Sequence, residues 1–160
     1  METHKDFSAG PIIAAIVLMV LALVVFVILP NMLQTTNSLR IGDGIFRARV
    51  ALNEADRIKG LSGVEKLSPD QALLMAFPTE GKWNIWMKDM LVPIDIVWLD
   101  KDKKVIYIVK DAQPDGTTSS VFESKIPAKY VIELPSGTVD SKAIKSDSKA
   151  IFNINEEDIK

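Results

Sequence analysis

Cysteine is absent from the 160 residues, and histidine occurs once, at position 4. The first absence excludes a disulfide framework, a thiol nucleophile and a thiolate metal site. The second leaves the folded part without a Ser-His-Asp triad or a histidine-ligated zinc, so neither a metal nor a cofactor is expected. Charge is missing from one long stretch, since Phe7 to Leu39 contains no Asp, Glu, Lys or Arg. Residues 40–160 hold 18 basic and 19 acidic side chains, the totals of 19 and 21 less Lys5, Glu2 and Asp6. So even a balance lacks the basic face of a nucleic-acid module. No Gly-rich phosphate loop is present, Gly42 and Gly44 being an isolated pair.

The first positive feature is an apolar run. Pro11 to Leu29 is 19 residues long and carries no polar side chain. As a helix it would cover roughly 28 Å, close to the ~30 Å of a bilayer's hydrocarbon core. A cleaved signal peptide has a shorter apolar region and ends in small residues, whereas Leu29-Pro30-Asn31-Met32-Leu33 offers no such site. The expectation is a short tail over 1–10, a single-pass anchor over 11–30 with the lipid bilayer as its partner, and a linker over 31–42. A short tail before a long C-terminal domain fits a signal anchor, which places the domain on the extracytoplasmic side of the cell membrane.

From Ile45 the hydrophobic period becomes two: Phe46, Ala48, Val50 and Leu52 share one face, Arg47 and Arg49 the other. Glu54 to Lys59 reads as a short helix closed by Gly60. Ser68-Pro69-Asp70-Gln71 has the form of a helix start, which predicts a brief helix running toward Phe77 and Pro78. Ile94–Leu99 and Val105–Val109 read as a hairpin with a charged tip. Tyr130–Leu134 and Ala150–Ile154 read as strands, and Thr138–Ile144 as one helical turn. These elements predict a mainly β domain over 43–154, a small antiparallel barrel or sandwich with two or three short helices, followed by a frayed tail over 155–160.

The densest chemistry lies in Lys82–Trp98, KWNIWMKDMLVPIDIVW, which holds all three tryptophans. Trp83, Trp86 and Trp98 suit either core packing or an aromatic pocket in which Lys88 or Asp95 orients a ligand. Strand alternation puts Asp95 with Val97 and Leu99 on an apolar face, where a carboxylate needs hydrogen bonds or a cation such as Lys88 or Arg57. Glu133 sits likewise among Val131, Ile132 and Leu134. Two such carboxylates could be an acid/base pair if they met in space, or separate anchors for loop N–H groups. Asp100 and Asp102 lack the glycine and distal glutamate of a calcium loop, and Ser124-Lys125 would point apart in a strand, so neither is a site.

Four motifs in order resemble the domain-of-unknown-function family 192: Arg57-Ile58-Lys59-Gly60-Leu61; Leu73-Leu74-Met75-Ala76-Phe77; Trp86-Met87-Lys88-Asp89-Met90 with Pro93-Ile94-Asp95; and Tyr130 to Gly137. The resemblance covers about residues 43–154 and implies a small, mostly β, mostly prokaryotic domain whose biochemical role is not established. It departs at Ala72-Leu73-Leu74-Met75, where the family runs glycine, methionine, leucine, phenylalanine, and at Asp89, where the family has asparagine. It makes Asp95 and Glu133 motif positions. The reading is therefore a binding or accessory module for a small ligand or peptide, with Arg57, Trp86, Met87, Lys88, Asp95 and Glu133 as binding residues. The alternatives are an enzyme using Asp95 and Glu133 as catalytic groups, or a domain that docks a membrane protein partner.

Overall fold

A computed structural model of the chain describes residues 10–25, 36–114 and 120–160. The chain divides into two units, residues 1–35 and 36–160. The first contains helix α1, Gly10–Leu23, of 14 residues. Among the described residues no helix is long and apolar enough to cross a membrane. Residues 26–30 of the expected span lie outside the described ones.

The second unit is a mainly β fold with few helices. Its strands are β1 (Thr36–Ile41), β2 (Gly44–Ala51), β3 (Gln71–Gly81), β4 (Asn84–Trp86), β5 (Ile94–Leu99), β6 (Val105–Ala112), β7 (Val121–Glu123) and β8 (Ala128–Pro135). Two short helices, α2 (Glu54–Lys59) and α3 (Thr138–Ser141), and a 3-10 turn at Glu156–Asp158 complete it. Six strands form one sheet in the order β1-β2-β3-β8-β5-β6, and β4 pairs with β7 apart from it. The sheet is mixed, because α2 carries the chain back between β2 and β3 and these two run parallel. The expected mainly antiparallel barrel or sandwich is thus an open sheet in which the β2–β3 pair is parallel and the other pairs are antiparallel.

Both faces of that sheet are covered. Ala72, Leu74, Ala76, Val97, Leu99, Tyr130 and Ile132 belong to one core; Leu73, Met75, Phe77, Ile96, Trp98 and Val131, their alternating neighbours, belong to the other. A strand buried on both sides reads as a continuous apolar run. This explains β3, where a brief helix is expected after Ser68. The start signal is real but local: Gln71 Oε1 accepts from the Ser68 N–H at 2.8 Å, and the Gln71 N–H donates to the Ser68 carbonyl at 2.9 Å. One turn forms, and sheet pairing on both sides then takes Leu73 to Ala76.

Both ends of the domain are more ordered than expected. Thr36 to Ile41, within the predicted linker, pair with β2 through a turn at Gly42, whose φ is 54°. The predicted frayed tail is tied down by the Tyr130 hydroxyl, which donates to Glu156 Oε1 at 2.6 Å, and by the Lys160 N–H, which donates to the Leu52 carbonyl at 2.8 Å. Instead of a strand over Ala150–Ile154, residues 147–151 form a strap touching both outer strands. Ile151 exchanges two hydrogen bonds with Arg40 of β1, while Val105 of β6 donates to the Ser148 carbonyl and accepts from Asp147.

Candidate functional site

Asp95 lies on the face predicted for it, with Val97 and Leu99, and is fully buried. Its Oδ1 accepts from the Asp111 N–H at 2.9 Å and its Oδ2 from the Val139 N–H at 2.8 Å. Each donor has a reason to need it. The β5–β6 register slips between Ile94↔Ala112 and Ile96↔Val109, leaving Asp111 at φ 52° on the bulge. Val139 lies in the first turn of α3, where N–H groups have no intrahelical partner and the cap residue, Gly137, has no side chain to offer. Asp95 is therefore an anchor, and neither Lys88 nor Arg57 is its counter-charge.

Glu133 faces the other way. Asp95 pairs with Leu134 and Ile96 with Glu133, so the two carboxylates sit one position out of register on adjacent strands and on opposite sides of the sheet. They do not share a site, and a two-carboxylate acid/base mechanism has no geometry here. Glu133 stands between Leu73 and Ile96 on the neighbouring strands and is 3% exposed. Its Oε2 is buried without a hydrogen-bond partner. Arg49, on β2, opposes its charge from nearby, but the guanidinium donates to the Gly60 carbonyl. Burial outweighs Arg49 and pushes the Glu133 carboxyl up to about 7, while burial also pulls the Arg49 guanidinium down.

Glu133 lines a cavity of about 540 Å³ between the sheet and a cover made by α2, residues 60–62 and the β4–β7 pair. Met75, Phe77 and Glu133 come from the sheet, and Met90 closes one side. Ile58, Trp86 and Val121 also line it while remaining 52%, 43% and 56% exposed, so they form the rim. Trp86 and Val121 are direct cross-strand partners. Phe77 and Trp83 stack with ring centres 4.3 Å apart and planes within 8°. Trp83 Nε1 donates to the Ala128 carbonyl at 2.9 Å, which locks the ring as a wall. Trp98 is a core residue, its Nε1 donating to the Trp83 carbonyl at 3.1 Å. Arg57 completes the wall, its Nη1 donating to the carbonyls of Leu52 and Ala76, both at 2.9 Å.

Three of the six predicted binding residues, Arg57, Trp86 and Glu133, thus meet at one cavity. Met87 is buried in the core on that side of the sheet, and Lys88 is exposed, contributing only its carbonyl to the Ser62 hydroxyl at 2.8 Å. Asp89 adopts φ 55°, and its carbonyl accepts from the Gly63 N–H at 2.8 Å. Aspartate is one of the few residues that tolerate that left-handed conformation. Met75, Phe77 and Met90 also line the cavity; alternation along β3 sets the first two on one face, and only the β3–β8 register brings that face to Glu133. Among the described residues no three His, Asp or Glu side chains gather as a metal site would require.

No curated protein matches this chain. Two solved structures share its fold. One, a candidate transcription regulator from Sinorhizobium meliloti 1021, superposes with a TM-score of 0.69 at 22% identity, over 73% of this chain and 93% of the other. The second, a protein of unknown function from Novosphingobium aromaticivorans DSM 12444, gives 0.66 at 20% identity, over 71% and 83%. The DUF192 family model (Uncharacterized ACR) matches residues 37–152, a span that takes in β1 to the strap and every cavity residue from the sheet, and the chain belongs to that family.

Proposed function

We propose that the domain is a binding module that takes a small, mainly apolar ligand into the cavity beneath α2. The observation that carries this reading is Glu133, a carboxylate that lines a mainly apolar cavity and whose Oε2 is buried without a partner. A buried polar atom with no partner costs free energy, and a ligand that brings one removes the cost. The volume is within the range of small-molecule sites, and apolar walls with few polar groups are their usual composition. Val121 and Ile58 at the rim give an apolar ligand a route in. The test is titration of the full chain with 2-phenylethanol, read by tryptophan fluorescence and melting temperature. A saturable signal with a rise in melting temperature is expected, weakened at least tenfold by Ile58→Asp at the rim. A parent chain that shows no saturable response rejects the reading.

We further propose that residues 11–29 hold the domain at the cell membrane, on the extracytoplasmic side. The 19-residue stretch without a polar side chain supports this. Retention of the protein in membranes after alkaline carbonate washing, with the domain open to protease from the outer side, is the expected result. Release into the wash would overturn it. A nucleic-acid role finds no support in 18 basic against 19 acidic side chains over residues 40–160.

A further inference from the structure

The inner end of the cavity differs from its mouth in charge. Exposed Glu54 and Lys59 of α2 and exposed Lys160 of the C-terminal segment line the mouth, where water screens them. Arg57, also of α2, is committed to three carbonyls, those of Leu52, Ala76 and Lys160. The lining residues of β3, β4 and β7 carry no charge. Arg49 of β2 donates to the Gly60 carbonyl and reaches Glu133 only through space. Glu133 is therefore the only acidic group lining the cavity's inner end, where Arg57 is already held by main-chain oxygens, and its Oε2 lacks a donor.

We infer that the cavity selects a primary amine on an apolar body, its ammonium group against the Glu133 carboxylate and its apolar part running past Met75 and Met90 to the rim. This rests on the cavity being a ligand site. An ionised carboxylate can only accept, and an ammonium offers three donors together with the compensating charge. A hydroxyl would bring one donor and no charge. A carboxylate ligand would set a second negative charge beside the first, which is unfavourable in a poorly solvated space. The thioethers of Met75 and Met90 and the aromatic wall suit an alkyl or aryl stem. Burial lifts Glu133 to about 7, so below that pH the carboxyl holds a proton. An incoming ammonium must displace it, and one proton is released to solvent for each amine bound.

Calorimetry of the full chain with 2-phenylethylamine, 2-phenylethanol and phenylacetate tests this, at pH 5.5 and 8.5 and in two buffers of different ionisation enthalpy. At pH 8.5 the amine is expected to bind at least tenfold more tightly than the alcohol. Its affinity should fall roughly thirtyfold on going to pH 5.5, with about one proton released per amine at the lower pH. Glu133→Gln should abolish the amine's advantage and its pH dependence while still binding the alcohol, which also reports that the variant is folded. Proton release by the parent chain needs no variant at all. Equal binding of amine and alcohol, tightest binding by phenylacetate, or undiminished amine binding in Glu133→Gln would each overturn the inference and leave the cavity reading intact. Failure of all three compounds to bind the parent chain would overturn both.

Discussion

The Arg57 guanidinium lies 5.2 Å from the centre of the Phe77 ring, on a stack continued by Trp83. In this position it joins three segments that are distant in sequence, through the carbonyls of Leu52, Ala76 and Lys160. A lysine ammonium has neither the planar fork nor the reach to serve all three. Arg57→Lys should therefore cost about 1–3 kcal/mol, from carbonyls left unpaired and a lost stack. Chemical denaturation followed by circular dichroism would measure it, and a change within error of zero would mean that solvent satisfies these carbonyls.

Asp95→Ala should destabilise the domain by about 2–4 kcal/mol, because two N–H groups lose their acceptor in a buried setting. The effect has a local signature. Amide hydrogen exchange at Asp111 and Val139 should accelerate beyond the change seen across β3 and β8. Binding in the cavity on the opposite face should persist at temperatures where the variant is folded. Loss of binding without loss of fold would return Asp95 to the site.

Glu133 makes stability depend on pH with a definite sign. Its folded value near 7 exceeds the ordinary 4.5, so between these values the native state holds the extra proton. Stability from this group is present below about 4.5 and is lost as pH rises through 7, amounting to about 3 kcal/mol. Unfolding free energies of the parent chain and Glu133→Gln across pH 5 to 8 would show it, the parent's slope being more negative. Parallel curves would mean that Glu133 ionises as an ordinary carboxylate.

Gly42→Ala should cost about 2 kcal/mol or more. Its φ of 54° is uncongenial to an L side chain, and an added Cβ would lie 2.2 Å from the Lys142 carbonyl oxygen. The same carbonyl accepts from the Asp43 N–H at 2.8 Å, so the turn cannot retreat without losing that bond. Thermal unfolding provides the measurement, with Gly63→Ala as a comparison, since an added Cβ there meets nothing within 4 Å although φ is 75°.

Local signals were legible where one residue's neighbours decide the outcome. Alternation placed Asp95 correctly beside Val97 and Leu99, and Gly60 ended α2 as expected. What failed depends on partners far along the chain. The Ser68–Gln71 turn looks the same whether a helix or a strand follows, and only burial on both faces settles that Leu73 to Ala76 extend. The opposite facing of Asp95 and Glu133 follows from the register of β5 on β8, which no spacing in the sequence encodes. Arg57 and Trp86 reach the cavity from its cover and Glu133 from the sheet, whereas Met87 does not because its side chain turns into the core.

The strap across β1 and β6 has a consequence for the order of folding. Arg40 and Ile151 are 111 positions apart, so their pair of hydrogen bonds closes nearly the whole domain into a loop. Contacts of that range form late, after nearer ones have offset the entropy of bringing the chain together. Until residues 147–151 have left the ribosome, both outer strands present unpaired backbone groups to their surroundings. The nascent domain is most open to wrong strand partners just before residues 147–151 emerge, and those few residues close both edges together.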